Sequence, residues 1–202
     1  DGSTAFDGQM LTAAGLAGES FAITGAGSSG NLASRNTGSG LTLAHTNGLS
    51  LGAGSGGALA SNYQALSAAT SSVAVTPRAV TLTAPVASRA YDTTTAYVAS
   101  AADLSLLSGA LVGGDSVTAI HLQFDQADAA ANRTLSASGA TISDGHGGGN
   151  YAVTYAANST STITPADLVL AGQRPYDGHS DIDGSAITAT GMGGHAFVLT
   201  GT

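Results

Sequence analysis

The sequence contains no cysteine, no tryptophan and no lysine, and only 9% of its 202 residues are charged. The absence of cysteine excludes disulfides and thiolate metal sites. The only Lys or Arg cations are five arginines, and a net charge of −8 argues against the basic surface that nucleic-acid binding requires. No apolar run approaches the ~20 residues that a membrane-spanning helix needs. The remaining composition is rich in alanine, glycine, serine and threonine, and its short clusters of valine, leucine and isoleucine predict a folded β protein.

The chain repeats itself with a period of 88 residues. Residues 1–25 and 177–201 align without a gap at twice that offset and share eleven identities. A second match lies at the single offset, where an Asn-Tyr pair precedes a proline by the same distance in two places. The residues of this second match are Asn62, Tyr63 and Pro77 in one copy and Asn150, Tyr151 and Pro165 in the other. A fixed period of this kind indicates an array of structural repeats.

The two prolines divide the array into modules. Each proline lies between two strand-like segments, and a proline cannot donate a ladder hydrogen bond, so we place the joints between modules at Pro77 and Pro165. The predicted modules are 1–77, which lacks its first strand, 78–165, which is complete, and 166–202, the start of a third. A chain that begins and ends inside a repeat is expected to be part of a longer polypeptide.

Strand-like segments alternate with turns rich in glycine, serine and asparagine. Segments such as 20–24, 79–83 and 116–124 alternate apolar residues with small or polar ones, which is typical of strands buried on one face. Residues 99–107 are expected to form two helical turns, whereas three glycines disfavour a helix over 2–18, since each costs roughly 1 kcal/mol relative to alanine. We therefore predict an all-β fold of tandem, small β-sandwich-like (Ig-like) modules with little helix.

Short motifs occur in a fixed order within the modules. The complete module has Tyr91-Asp92-Thr93, Gly114-Asp115, Gly149-Asn150-Tyr151 and Thr164-Pro165 in that order. The other modules carry related forms: Gly18-Glu19, Ser61-Asn62-Tyr63, Thr76-Pro77 and Tyr176-Asp177-Gly178. This order and spacing resembles the YDG/MBG-type repeats, which are mainly-β, glycine-rich modules of large exported bacterial proteins, especially filamentous-haemagglutinin-like adhesins of two-partner secretion. Thr93, Glu19 and His195 depart from the pattern.

The resemblance implies a structural or adhesive segment, a stalk or filament, of a secreted or cell-surface protein that acts in adhesion or in a biofilm matrix. The expected partners are copies of the chain or neighbouring repeats, and surface glycans or host and matrix components. Because an open strand edge can pair with a neighbour, filament assembly by strand addition is a further hypothesis. We expect no enzyme and no cofactor. No Gly-x-Ser-x-Gly elbow is followed by a helix, and no lysine is present to complete a phosphate loop.

The recurring residues are expected to mark the architecture of the repeat rather than an active site. We predict that Tyr91 and Tyr176 are buried at strand ends, and that the aspartates that follow them cap the next turn. Asn62 and Asn150 are expected to occupy turns before a strand. These structural landmarks are Tyr91, Asp92, Asn62, Tyr63, Pro77, Asn150, Tyr151, Pro165, Tyr176 and Asp177.

Two alternatives remain open. Asp177, Asp181 and Asp183 lie near a glycine turn and could supply the oxygen ligands of a calcium ion, which would make the chain a calcium-stabilised extender; the spacing is not that of an EF-hand. The chain could instead be a carbohydrate-binding β module, although its six tyrosines stand mostly at repeated strand positions and it has no tryptophan.

Overall fold

A computed structural model describes residues 2–199. Asp1, Thr200 and Gly201, which contribute to the repeat identities, lie outside the described residues. Within the described part there are fifteen β-strands and one α-helix. The strands are β1 (Thr12–Ala14), β2 (Ser20–Thr24), β3 (Gly38–Leu41), β4 (Ser50–Gly54), β5 (Val73–Val75), β6 (Arg78–Thr83), β7 (Ser88–Ala90), β8 (Ala96–Tyr97), β9 (Ser116–Phe124), β10 (Ala130–Ser143), β11 (Tyr151–Ala156), β12 (Asn158–Thr164), β13 (Val169–Gly172), β14 (Ile187–Thr190) and β15 (Ala196–Phe197), and the helix is α1 (Ala101–Ser108).

The mainly-β prediction is confirmed. Strands hold 41% of the chain and helical residues 15%, and the helical share includes short 3-10 turns. The strands form several small sheets, ordered β1-β2-β4, β7-β12-β10-β9-β8, β11-β6, β13-β14-β15 and β3-β5. The finer expectation of tandem Ig-like sandwiches stays a prediction. The 3-10 turns are Gly8–Met10, Leu16–Gly18, Ser55–Gly57, Ala60–Asn62, Ala68–Thr70, Gly184–Ala186 and Met192–Gly194.

The chain forms two compact units. Unit one consists of the residues up to Val80 with Ser108–Ser116 and Thr141–Thr154. Unit two consists of Thr81–Leu107, Val117–Ala140 and the residues from Tyr155 onward. This division differs from that of the predicted modules 1–77, 78–165 and 166–202, which are defined by the sequence period and stay a prediction.

In unit one, strand alternation places one face of β2 in the interior. Phe21 and Ile23 are buried while their neighbours are exposed, and β2 pairs antiparallel with β1 and β4. A second cluster packs around Leu32, Leu43 and Val73, where β3 pairs antiparallel with β5. Both clusters consist of medium-sized apolar side chains among many alanines and glycines, so each core is small.

In unit two, the core lies against the five-stranded sheet. Its six fully buried members come from β9, β10, β12 and the segment after β6, and they are Ala84, Ala87, Leu122, Phe124, Leu135 and Ile163. β12 pairs antiparallel with β10 and parallel with β7. The sheet β13-β14-β15 of the same unit is antiparallel throughout.

The single α-helix of the described residues forms where the sequence predicts it. Ser100 caps its first turn, because the Ser100 hydroxyl accepts from the amide of Asp103 at 3.2 Å and the Asp103 carboxylate accepts from the amide of Ser100 at 2.8 Å. The disfavoured segment 2–18 contains two 3-10 turns and strand β1 instead. In the described part of the chain no helix is long and apolar enough to cross a bilayer.

Candidate functional site

In the complete module, Tyr151 joins two landmarks that are far apart in sequence. The Tyr151 hydroxyl donates to Asp115 Oδ2 at 2.7 Å and accepts from the amide of Val112 at 3.0 Å. The ring is buried, and burial together with the hydrogen bond to Asp115 raises the pKa of Tyr151 above that of a free tyrosine. We call this arrangement the tyrosine clasp. It consists of a tyrosine hydroxyl, a carboxylate, and the backbone amide of the residue three positions before that carboxylate.

The first module contains the same tyrosine clasp. The Tyr63 hydroxyl donates to Glu19 and accepts from the amide of Leu16 at 2.8 Å. The Glu19 hydrogen bond raises the pKa of the Tyr63 phenol. The Tyr63 ring also contacts Phe21 edge-on, with 5.0 Å between ring centroids. The approach is so close that a Cβ atom at position 15 would lie 2.6 Å from the Tyr63 hydroxyl, so any residue larger than Gly15 would displace the Tyr63 ring.

The two clasps show why these landmarks recur together. Tyr63 and Tyr151 are separated by the repeat period, and Glu19 and Asp115 hold the Gly-Asp or Gly-Glu position of their modules. Leu16 and Val112 both lie three residues before the carboxylate. The repeat in the sequence identifies the tyrosines and the carboxylates but not the residues whose amides donate to them. It also does not show that the tyrosine and the carboxylate are in contact. The recurring residues therefore make one tertiary contact in each of two modules.

The clasp of the complete module is supported by a second layer of polar contacts in unit one. Arg35 forms an ion pair with Asp115, whose side chain is only 5% exposed, and donates to the carbonyl of Gly113 at 3.0 Å. Nothing in the sequence singles out Arg35, because it has no repeated counterpart. It supplies the positive charge that a nearly buried carboxylate requires.

Asp144 organises the glycine-rich loop that leads to Tyr151. Its carboxylate is 2% exposed and accepts from the amides of His146 and Gly148 at 2.8 Å each and of Asn150 at 3.1 Å. Burial alone would raise the pKa of Asp144, but the three amide donors outweigh burial and hold the pKa below its ordinary value. The loop that the sequence describes only as a turn is thus fixed by a central anion.

Asn150 connects this loop to two residues of the first module, which belong to the same compact unit. Its side-chain oxygen accepts from the amide of Thr37 at 2.9 Å, and its side-chain amide donates to Asn36 at 3.1 Å. Asn150 lies in the turn before β11, as predicted. Asn62 also lies in a turn, but no strand begins at Tyr63, so that part of the prediction is wrong for the first module.

A cavity of about 340 Å³ in unit one adjoins the clasp. Phe6, Leu32 and Val75 contribute its apolar wall, and Arg35, Asp115 and Tyr151 line its polar side. These polar groups already bond to one another. The Arg35, Asp115 and Tyr151 side chains thus form a hydrogen-bonded network in the wall of this cavity.

The Tyr-Asp landmark builds a second repeated device, which we call the arginine turn. In the complete module, Arg89 forms an ion pair with Asp92 and donates to the carbonyl of Thr94, while Asp92 accepts from the amide of Thr94 at 2.9 Å. The amide of Thr94 and then Arg89 lower the pKa of Asp92. The Arg89 guanidinium lies 5.2 Å from the centre of the Phe124 ring, which ties the turn to the core of unit two.

The third module repeats the arginine turn. Arg174 forms an ion pair with Asp177 and donates to the carbonyl of His179, and Asp177 accepts from the amide of His179 at 3.0 Å. The predicted capping role of both aspartates is confirmed. Neither arginine was predicted to take part, although each stands two residues before its tyrosine. The recurring motif is therefore Arg-x-Tyr-Asp.

The two landmark tyrosines differ in environment. Tyr91 follows β7, is partly buried against the core of unit two, and its amide donates to the carbonyl of Thr164 at 2.8 Å. Tyr176 is 95% exposed and lies outside the strands, so the prediction that it is buried at a strand end is wrong. Pro77 and Pro165 each lie between two strands, as predicted.

Thr93 occupies the position of the glycine in Tyr-Asp-Gly, and its backbone retains the conformation that glycine favours. Its φ is +71°, close to the +82° of Gly178 in the third module. A β-branched residue is strained in this left-handed region. We expect Thr93→Gly to stabilise the chain by about 1 kcal/mol and to raise the Tm by about 2 to 4 °C. Thermal unfolding followed by circular dichroism measures this change.

Ala96→Gly is the control for that substitution, because Ala96 lies in strand β8, where glycine only adds freedom to the unfolded chain. It should lower the Tm. A Thr93→Gly variant that melts at or below the temperature of the parent would contradict the strain argument.

The proposed calcium ligands are used for local structure. Asp177 belongs to the arginine turn, Asp183 accepts from the amide of Ser185 at 2.7 Å, and Asp181 is exposed. Their own turn contacts lower the pKa values of Asp177 and Asp183. Among residues 2–199, no three histidine, cysteine, aspartate or glutamate side chains are grouped so that they could hold a metal ion.

Comparison with known families identifies one segment of the chain. Residues 76–161 match the YDG domain family, and this match begins next to the predicted joint at Pro77. No curated protein and no solved structure matches the chain significantly. The matched segment contains one arginine turn, the Asn-Tyr landmark and the Tyr151–Asp115 clasp. Residues 76–161 thus form a YDG-type domain.

Proposed function

We propose that this chain is a structural repeat segment, a stalk or filament, of a large secreted or cell-surface bacterial protein that acts in adhesion or in a biofilm matrix. The observation that carries the proposal is the repetition of internal contacts. The tyrosine clasp recurs in the first and second modules, and the arginine turn recurs in the second and third. Repeated residues are thus used to rebuild one architecture in successive modules.

The electrostatics of these sites support a structural role. The landmark carboxylates of Asp115, Glu19 and Asp92 accept hydrogen bonds or ion pairs from within their own module or unit. A nucleophile or general base needs a free lone pair directed at a substrate. The repeated geometry of the two devices instead fixes loops to strands, which a spacing module requires.

The YDG-type domain supports a tandem arrangement. Its span of 76–161 is close to one 88-residue period, and the flanking segments carry landmarks of the same repeat. We propose that each module folds as a small Ig-like β-sandwich and that successive modules are joined near Pro77 and Pro165. Short proline-containing joints give a semi-rigid array rather than a flexible tether.

Antibody labelling tests the proposed location. Antibodies raised against the purified chain are expected to label intact, unpermeabilised cells of the bacterium that encodes it, and brief protease treatment of those cells should remove the signal. A cytosolic protein of the same cells serves as the control and should stay unlabelled and intact. Labelling that appears only after lysis, with the antigen in the soluble cell extract, would contradict the proposal.

A further inference from the structure

Three consecutive residues of the first module, Arg35, Asn36 and Thr37, are half-buried, whereas the two residues before them are exposed. They lie in the loop between the buried Leu32 and β3. β3 pairs with β5, which ends two residues before Pro77. The strands that lead to this proline therefore also position the three residues, which we call the docking strip.

The first residue of the docking strip bonds to two loops of the complete module within unit one. The Arg35 guanidinium pairs with Asp115, donates to the carbonyl of Gly113 at 3.0 Å and reaches the carbonyl of Asp144 at 3.4 Å. A Cβ atom at position 113 would overlap the guanidinium, and the φ of Gly113 is +67°. The loop that carries the Gly-Asp landmark is thus shaped to receive an arginine from another part of the chain.

The other two residues of the docking strip bond to the Gly-Asn-Tyr landmark. The Thr37 amide donates to the side-chain oxygen of Asn150 at 2.9 Å, and the Thr37 hydroxyl donates to the carbonyl of Gly149 at 3.1 Å. The Asn150 side-chain amide donates to the side-chain oxygen of Asn36 at 3.1 Å. The docking strip therefore contacts two landmarks of the complete module, and every one of these bonds crosses the predicted boundary at Pro77.

The YDG-type domain does not contain the cation that its own Asp115 uses. The Asp115 side chain is 5% exposed, and Arg35 is its ion-pair partner among the described residues. A carboxylate buried to this degree is costly unless a positive group pairs with it. Arg35 lies outside residues 76–161, in the preceding module. The carboxylate site of the domain is therefore incomplete without its neighbour.

We propose that the docking strip of the first module completes the carboxylate site of the module that follows it, so that the two modules fold as coupled neighbours rather than as independent domains. The partner that this surface fits is the next repeat of the same chain. Coupling between nearest neighbours makes the stability of a repeat array depend on its interfaces as well as on its modules. The inference deepens the proposed tandem array and rests on it.

Native-state hydrogen exchange of the full chain tests the coupling. Ile23→Val removes one methylene from the buried face of β2 in the first module, and it should speed exchange of the Ala44 amide in that module by about 2- to 10-fold. Through the docking strip, the amides of Gly148 and Asn150 in the complete module should accelerate by a similar factor. In an Arg35→Ala background, these two loop amides should no longer respond to Ile23→Val.

Arg133→Ala is the matched control. Arg133 donates to Gln126 at 3.0 Å and to the carbonyl of Asp128 at 2.9 Å, and all three residues belong to the complete module. Its removal takes one arginine from the chain without touching the docking strip. Both the exchange of the two loop amides and their response to Ile23→Val should equal those of the parent.

Thr37→Ala is a milder variant of the docking strip. It removes the hydroxyl that donates to the Gly149 carbonyl and keeps the ion pair of Arg35. The response of the two loop amides to Ile23→Val should be reduced but not lost. Far-ultraviolet dichroism checks that each variant is folded, and Thr37→Ala carries the test if Arg35→Ala is not.

Two results would overturn the inference. The first is unchanged exchange of the two loop amides in Ile23→Val while the Ala44 amide accelerates, since the modules would then unfold independently. The second is a response to Ile23→Val that is as large in Arg35→Ala and Thr37→Ala as in the parent, since another contact would then carry the coupling. Either result would leave the surface-labelling outcome unaffected, so failure of the coupling and failure of the proposed function are distinguishable.

Discussion

Replacing Asp144 with alanine is expected to lower the free energy of unfolding of unit one by about 3 to 5 kcal/mol. The substitution removes the carboxylate that accepts hydrogen bonds from the amides of His146, Gly148 and Asn150. Asp144 is only 2% exposed, so water cannot readily take the place of this acceptor. Buried amides without an acceptor carry the full cost of their desolvation. Denaturant unfolding followed by tyrosine fluorescence measures the change, and hydrogen exchange should show faster exchange at Gly148 and Asn150.

The same carboxylate makes stability depend on acid pH. Because the folded protein holds the pKa of Asp144 below its ordinary value, the carboxylate contributes stability at pH values above the unfolded pKa of about 3.9. That contribution is lost as the pH falls below 3.9 and through the folded pKa. Asp144→Asn should remove this part of the acid dependence and should destabilise less than alanine, since its oxygen remains an acceptor.

Asp181→Ala is the control for these measurements, because Asp181 is exposed and accepts no hydrogen bond from the described residues. Its stability and acid profile should match those of the parent within ~0.5 kcal/mol. Asp144→Ala with unchanged stability and unchanged exchange at Gly148 would show that the loop is held by other contacts.

Replacing Asp115 with alanine is expected to cost about 3 to 5 kcal/mol, because it leaves the Arg35 guanidinium and the Tyr151 hydroxyl without their common partner. Tyr151→Phe removes the hydroxyl alone and should cost about 1 to 3 kcal/mol. Denaturant unfolding of the two single variants and of the double variant gives the coupling between the residues. We expect a coupling of about 1 to 3 kcal/mol.

The clasp of the first module supplies the comparison. Glu19 and Tyr63 are both only partly buried. In the Glu19→Ala variant, water can therefore replace part of the hydrogen bonding that the carboxylate supplied. The loss of stability should therefore be smaller than for Asp115→Ala. Equal losses in the two modules, or additive effects of Tyr151→Phe and Asp115→Ala, would contradict the account in which burial sets the strength of the clasp.

The sequence predicts the components of these sites better than it predicts their contacts. The period identifies Tyr63, Tyr151 and the Gly-Asp or Gly-Glu positions, because these residues recur. It does not show that the tyrosine and the carboxylate meet, since they lie 44 residues apart in one module and 36 in the other. Contacts over such separations depend on strand order, which no local pattern encodes.

The arginine turn could have been predicted more fully. Asp92 and Asp177 stand one residue after a tyrosine and cap a turn, as their residue type favours. Arg89 and Arg174 stand at the same distance before the tyrosine in both copies. With only five arginines in the chain, this coincidence was a usable signal. Arg35 and Asp144 offered no comparable signal, because neither has a counterpart one repeat period away.

The sheet arrangement was the least predictable level. Several strands have only two to four residues, and alanine, glycine and serine occupy many of their positions, as in β3 and β15. Small side chains give weak preferences for one register or one face. Alternation therefore predicted that β2 and β9 are strands, but not which strands lie beside them. The exposure of Tyr176 was likewise not predictable from its place in the repeated motif.

The tyrosine clasp closes long loops of the folded chain without a covalent bond. Each clasp closes a loop, of 44 residues between Glu19 and Tyr63 and of 36 between Asp115 and Tyr151. Many proteins close loops of this length with a disulfide, which requires an oxidant and persists after unfolding. This chain has no cysteine and closes them with a phenol and a carboxylate. The closure is independent of redox conditions, and it re-forms without a catalyst each time a module refolds.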